Sequence, residues 1–110
     1  MKLAIVILNW NGQQLLETFL PSVVHYADGH TIYVIDNAST DTSVSYIETQ
    51  FPSVNCIKLE HNSGYAGGYN EGLKQIDADV YCLLNSDIEV TENWLNPIIV
   101  TFKTEVNTVI

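Results

Sequence analysis

The sequence predicts an α/β fold in which a mostly parallel sheet, with strands in the order 3-2-1-4, lies between two layers of helix. Three observations lead there. Four apolar strand signals recur along the 110 residues. Each leaves through a polar turn into a helical pattern, which makes βαβ units with right-handed crossovers. The hydrophobic fraction of 46% is enough to fill one core, and the length suits one domain.

The elements follow in order. Leu3 to Leu8 is a continuous apolar run, as a strand buried on both faces requires, and Thr31 to Ile35 and Val80 to Leu84 read the same way. Val54 to Leu59 is interrupted by Asn55 and Lys58, which places it at a sheet edge. Helical patterns cover Gln13 to Tyr26, Thr42 to Phe51 and Gly67 to Ile76. Pro21 is expected to kink or divide the first. A fourth helix is expected over Glu92 to Lys103, with Thr91 as N-cap and Pro97 an irregularity, and a fifth strand begins at Asn107 to Ile110. With the weak strand outermost, the winding reverses between the first and fourth strands. Open α/β sheets bind ligands in the crevice such a reversal leaves.

The net charge of −9, with four lysines and no arginine, excludes a non-specific nucleic-acid or anionic-membrane binder. A phosphorylated small molecule stays open if a cation held by carboxylates neutralises it. The apolar start stops at Asn9 with no small-residue cleavage pattern, so it is not read as a signal peptide. No apolar stretch approaches the roughly 18 residues of a membrane span. Cys56 and Cys82 sit in strands and belong to no C-x-x-C pair, so both are expected as reduced core residues. A cytoplasmic location follows, with the inner face of the membrane as a peripheral alternative.

The turns leaving the strand carboxyl ends read Asn9-Trp10-Asn11-Gly12, Asp36 to Asp41, His61-Asn62-Ser63-Gly64 and Asn85-Ser86-Asp87. Such residues are ordinary turn formers, and Asp41 suits a cap of the second helix. The turns at the opposite end, Asp28-Gly29-His30 and Asp77-Ala78-Asp79, are shorter and lack asparagine, which favours a ligand-facing rim. The first turn is not G-x-G-x-x-G, and neither a P-loop nor a G-x-S-x-G elbow occurs. The histidines are scattered, and His61 lacks a ligand-spaced partner. Asp36 reads either as a turn-capping aspartate or as an acceptor for a base imino group or ribose hydroxyl. Asn85 and Asp87 offer oxygens to one divalent cation beside diphosphate oxygens.

Together, Ile5 to Gly12, Val34 to Asp41, Asn62 to Gly72 and Leu83 to Asp87 strongly resemble family 2 glycosyltransferases, and most closely the rhamnosyltransferase-type branch. The resemblance spans residues 3 to 100, with four motifs in order. It implies a GT-A fold, Rossmann-like and three-layered, and transfer of a sugar from a nucleoside-diphosphate donor to an acceptor hydroxyl with inversion. Carried over by motif, Asn9 and Asp36 line the base and ribose site, with Asn11 and Asn37 beside them. The segment Asn62 to Asn70, with Gly64 and Tyr65, helps wall the nucleotide. Asp87 matches the last aspartate of a D-x-D-type element and binds Mn²⁺ or Mg²⁺. Asn85 stands where many relatives have the first aspartate, so it and Ser86 are expected on ribose or donor sugar rather than on metal.

The metal offsets charge on the departing diphosphate, and a carboxylate base deprotonates the acceptor. The family's base lies after the fourth helix, and no residue here matches it. Glu89 and Glu92 read as turn and helix N-terminal charges. The expectation is therefore the nucleotide-sugar-binding half of the domain over residues 1–110, truncated at the carboxyl end, which binds donor but does not turn over alone. Polysaccharide or cell-surface glycan synthesis, on a glycan or lipid-linked acceptor, is the expected setting. The alternative is a catalytically silent interaction module that self-associates through an uncovered sheet edge. A nucleotidyltransferase is disfavoured, since its Gly-rich basic loop is missing.

Overall fold

The computed structural model describes residues 2–95. Its four strands are β1 (Leu3–Asn9), β2 (Thr31–Asp36), β3 (Asn55–Lys58) and β4 (Val80–Leu84), and its helices are α1 (Gln13–His25), α2 (Ser43–Gln50) and α3 (Gly64–Leu73). The sheet is parallel throughout and ordered β3-β2-β1-β4, as the strand signals predict. The register pairs Asn9 with Asp36 and Ile7 with Leu84, so the polar turns leave the sheet at one end.

Alternation along β1 explains its unbroken apolar run. Leu3, Ile5 and Ile7 face one core with Leu16, Leu20 and Val23 of α1 and Ile47 of α2. Ala4 and Val6 face the other, with Ile35, Tyr69 and Ile76. The sheet is thus covered on both faces and the fold has three layers. Leu16, Leu20 and Val23 are spaced for one helical face, and each buried side chain contributes roughly 2 kcal/mol.

Two expectations need correction. α1 runs unbroken through Pro21, which is exposed, so packing of the opposite face outweighs one missing backbone bond. α3 starts at Gly64 rather than Gly67. Its Gly68 and Gly72 let the helix lie directly on the sheet. A Cβ at Gly68 would come within 2.9 Å of Leu8 Cδ1, and one at Gly72 within 2.7 Å of Ile35 Cγ2.

After β4 the chain returns across α1. Val90 N–H donates to Ser22 Oγ (3.1 Å), and the Trp94 indole N–H donates to the Tyr26 carbonyl (3.0 Å). Residues 92–95 form a turn. The remainder of the helix expected over Glu92 to Lys103, and the strand Asn107 to Ile110, lie outside the described residues. Among the described residues no helix is long and apolar enough to cross a membrane. Cys82 is buried and Cys56 half-buried, and both are free thiols. Burial pushes Cys56 up to about 11, helped by the charge of Asp36, and raises Cys82 as well, so neither is a thiolate near neutrality.

Candidate functional site

A cavity of about 440 Å³ opens where the strand order reverses. It runs from the β4 turn, across the end of β1, to the turns after β2 and β3. Asn85, Ser86 and Asp87 line one end, Leu8, Trp10 and Leu15 the middle, and Asn37, Asn62 and Gly64 the other end, with Tyr65 and Tyr69 of α3 alongside. Asp87 is the only acidic or basic side chain among these lining residues. It is exposed, and among the described residues it has no ion-pair partner.

Seven of the sequence-derived residues therefore meet in one cavity: Asn37, Asn62, Gly64, Tyr65, Asn85, Ser86 and Asp87. Four do not line it. Asn70 is exposed elsewhere on α3. Asn9 and Asp36 are buried, at 2% and 3% exposure. The Asp36 carboxylate is turned inward, with Oδ1 accepting from the Asn9 amide (3.0 Å) and the Ser39 hydroxyl (2.6 Å), and Oδ2 from Ser39 N–H (3.0 Å). In this geometry Asp36 caps its own turn. Asn11 lies on a separate cavity of about 530 Å³ with Gln13, Glu17 and Asp41.

The loops after β1, β2 and β3 are tied together from below. Asn11, at φ +48°, accepts Thr40 N–H (2.7 Å) and Asp41 N–H (3.2 Å) on Oδ1, and donates its own N–H to Ser39 Oγ (2.9 Å). Asp41 serves two helix starts at once, taking Ser43 N–H at α2 (2.9 Å) and Gln13 N–H at α1 (3.3 Å). Asn37 clasps the turn before α3: its amide donates to Asn62 Oδ1 (3.1 Å) and the Gly64 carbonyl (2.9 Å), and its Oδ1 accepts Ser63 N–H (3.0 Å). One buried acceptor, Asn9 Oδ1, has no partner among the described residues.

The upper wall is aromatic. Trp10 is 56% and Tyr65 67% exposed, unusual for such large side chains. Tyr65 stands edge-on to Tyr69, with centroids 5.2 Å apart, and its hydroxyl donates to Asn85 Oδ1 (3.3 Å). Burial, with the neighbouring Tyr65, pushes the Tyr69 phenol up to about 12, so it stays protonated. Sequence reasoning missed Leu8, Trp10 and Leu15 as lining residues, whereas Tyr69 falls within the expected wall segment Asn62 to Asn70. An aromatic between two turn-forming asparagines, Asn9-Trp10-Asn11, is the signal that identifies Trp10.

Asp87 suits a divalent cation. Mg²⁺ and Mn²⁺ are commonly held by one or two carboxylates, with phosphate and water oxygens completing the shell. No group of three His, Cys, Asp or Glu side chains forms a metal cage among the described residues. A single exposed carboxylate at one end of a ligand-sized cavity fits the shared mode of binding.

A parallel α/β sheet with a cavity at its switch point is the doubly wound type of domain, which binds ligands at that place. Comparison with known proteins identifies it further. The Glycosyl transferase family 2 model matches residues 4–110, and the chain belongs to that family. Among solved structures, S. aureus TarS 1-349 in complex with UDP-GlcNAc aligns with 94% of the chain and 32% of its own, at 23% identity and TM-score 0.78. The mannosyltransferase PcManGT from Pyrobaculum calidifontis, in complex with GDP-Man and Mn²⁺, aligns over the same shares at 17% identity and TM-score 0.78. GalNAc-T7, with UDP, GalNAc and Mn²⁺, aligns with 96% of the chain and 21% of its own, at 21% identity and TM-score 0.81. These likenesses establish the GT-A fold. The chain spans a third or less of each of these proteins. No curated protein matches it.

Proposed function

We propose that this chain supplies the donor half of a glycosyltransferase domain, binding a nucleoside-diphosphate sugar in the cavity between the ends of β1 and β4. The observation that carries the reading is the cavity itself, with one carboxylate, Asp87, at one end and an exposed aromatic pair along its length. The described lysines support it by their absence from the cavity lining: Lys58 pairs with Glu48 at 3.1 Å, Lys74 with Glu71 at 3.4 Å, and Lys2 lies near Asp77 at 4.0 Å. Neutralising a diphosphate there falls to a cation at Asp87.

Asp87 would hold Mn²⁺ or Mg²⁺, which when bound supplies Lewis-acid stabilisation of the leaving diphosphate. Trp10 offers a flat apolar face for a base, and Asn85 and Ser86 offer hydrogen bonds to ribose or sugar hydroxyls. Inversion at the anomeric carbon requires a base that takes the acceptor proton. Asp36 and Asp41 are committed to internal bonds, so we assign that base to a part of the protein outside residues 2–95. The setting we favour is the rhamnosyltransferase-like branch, acting from the cytoplasm on a polysaccharide or lipid-linked glycan.

Calorimetry of the purified protein with UDP, GDP and dTDP, with and without Mn²⁺, tests this. At least one nucleotide binds, more tightly by about tenfold or more with the metal. Asp87→Ala abolishes the metal's effect and leaves the fold intact. Flat titrations for every nucleotide with folded protein overturn the reading.

A further inference from the structure

Asp87 sits in a short span that the fold holds chiefly at its ends. Leu84 closes the span on one side, paired with Ile7 in the sheet. Val90 closes it on the other, buried in the core that α1 covers. Between them Asn85, Asp87, Ile88 and Glu89 are exposed, and Ser86 is half-buried. Among the described residues a single side-chain hydrogen bond reaches this span, from the Tyr65 hydroxyl to Asn85 Oδ1 (3.3 Å). The direction of the Asp87 carboxylate therefore depends on where Val90 is fastened.

That fastening is a hydroxyl on α1. Ser22 Oγ donates to the Phe19 carbonyl (2.9 Å), which orients it, and accepts the Val90 N–H (3.1 Å). The Tyr26 carbonyl, at the end of α1 where helix carbonyls lack intrahelical partners, accepts the Trp94 indole N–H (3.0 Å). Ser22 and Tyr26 stand at i and i+4, on one face of the helix. Val90 and Trp94 have the same spacing, so both bonds join residues 68 apart and hold the returning chain in one register. Ser22 is the rung nearer Asp87. The same helix carries Leu15 on the cavity wall, so wall and carboxylate are held by one rigid element.

We propose that Ser22 is a positioning residue for the metal site: by anchoring Val90 it keeps the Asp87 carboxylate placed at the cavity, while touching neither cation nor nucleotide. A carboxylate that shares a cation with phosphate oxygens has to be held in place, and the groups that orient a ligand govern metal affinity. Without the Ser22 hydroxyl, the Val90 N–H is left unpaired in a part-buried setting. It regains a partner when the span lifts from α1 toward water, and Asp87 moves with it. The inference rests on the donor-site reading above and adds a group outside the cavity on which its metal dependence turns.

The test takes whichever of UDP, GDP and dTDP binds most tightly and measures its affinity with and without Mn²⁺ by calorimetry. The ratio is the metal's gain, about tenfold or more in the unaltered protein. Ser22→Ala removes the hydroxyl with a residue that favours helix, so the fold is kept. It lowers the gain about threefold or more and leaves the metal-free affinity within about twofold. Ser22→Thr keeps the hydroxyl and keeps the gain. Thr18→Ala removes another α1 hydroxyl, exposed and bonded to the Gln14 carbonyl (2.9 Å), and leaves the gain as it was. Electron paramagnetic resonance of Mn²⁺ with nucleotide present reads the same loss as released free ion. Circular dichroism and urea midpoints verify that the variants are folded. A gain that Ser22→Ala leaves unchanged overturns the proposal. So does an equal fall in metal-free and metal-bound affinity, which marks a merely structural role, and so does a loss that Ser22→Thr or Thr18→Ala shares in full. Nucleotide binding with no metal gain in the unaltered protein overturns the metal role of Asp87, and binding of no nucleotide overturns the donor-site reading; either takes this inference with it.

Discussion

Asp36 and Asp87 each follow a parallel strand at the same end of the sheet, in turns of nearly the same composition, yet they face opposite ways. Asp36 is buried, with three donors converging on its carboxylate from Asn9 and Ser39. Asp87 is exposed on the cavity, with no hydrogen-bond or ion-pair partner among the described residues. The exit of β2 lies inside the sheet, where neighbouring loops can close over a carboxylate. The exit of β4, the outer strand among the described residues, borders the gap left by the reversal of strand order. Strand position, more than residue type, decides which aspartate braces the loops and which faces the cavity.

Substitution at the inward member gives the largest expected effect. Asp36→Ala strands the Asn9 amide, the Ser39 N–H and the Ser39 hydroxyl in a buried setting, at a cost of about 3 kcal/mol. A urea denaturation midpoint measures this. Asp87→Ala, by contrast, changes stability by under about 0.5 kcal/mol. If the two substitutions prove equally costly, the division into brace and ligand-facing group is wrong.

The outward side carries a second contrast. Trp10 leaves β1 beside the buried Asn9, but its side chain is more than half exposed and belongs to neither side of the core. Trp10→Ala should therefore lower nucleotide affinity about tenfold through lost stacking, with stability changed by under about 0.5 kcal/mol. Calorimetry and denaturation on the same preparation separate the two quantities. A large loss of stability with unchanged affinity would make Trp10 a packing residue instead.

The same contrast explains what the sequence made legible. Strand order was readable because Asn55 and Lys58 break the apolar pattern of β3, marking an edge, while β1 is apolar on both faces. The start of α3 was not, because it is set by bonds from Asn37 to the Asn62–Gly64 turn, about 25 residues away in the chain. Gly64, Gly67 and Gly68 carry no periodic apolar signal to replace them. The polar rim was readable as a group, since four strand exits share it. Which of its members point outward was not, because that depends on donors such as the Ser39 hydroxyl that reach Asp36 only once the loops are folded.

Asp41 gives the smallest effect and a test of the brace by pH. Burial pushes its carboxyl upward, but the hydroxyl and N–H of Ser43 and the N–H of Gln13 outweigh that and hold it below the ordinary aspartate value. A carboxylate with a lowered folded-state value adds stability above its unfolded value of about 4, and that contribution fades as pH falls through the lowered folded value. The group is exposed, so water screens the contribution and it stays small. Asp41→Asn keeps one acceptor oxygen and removes the charge that meets the starts of α1 and α2. The variant should be slightly less stable than the unaltered protein at pH 7, and the gap should close as pH falls from about 4 through the lowered folded value. Paired urea titrations across that range measure it. A gap that is constant with pH would mean that the carboxylate's charge contributes nothing and that Asp41 holds the two helices through hydrogen-bond geometry alone.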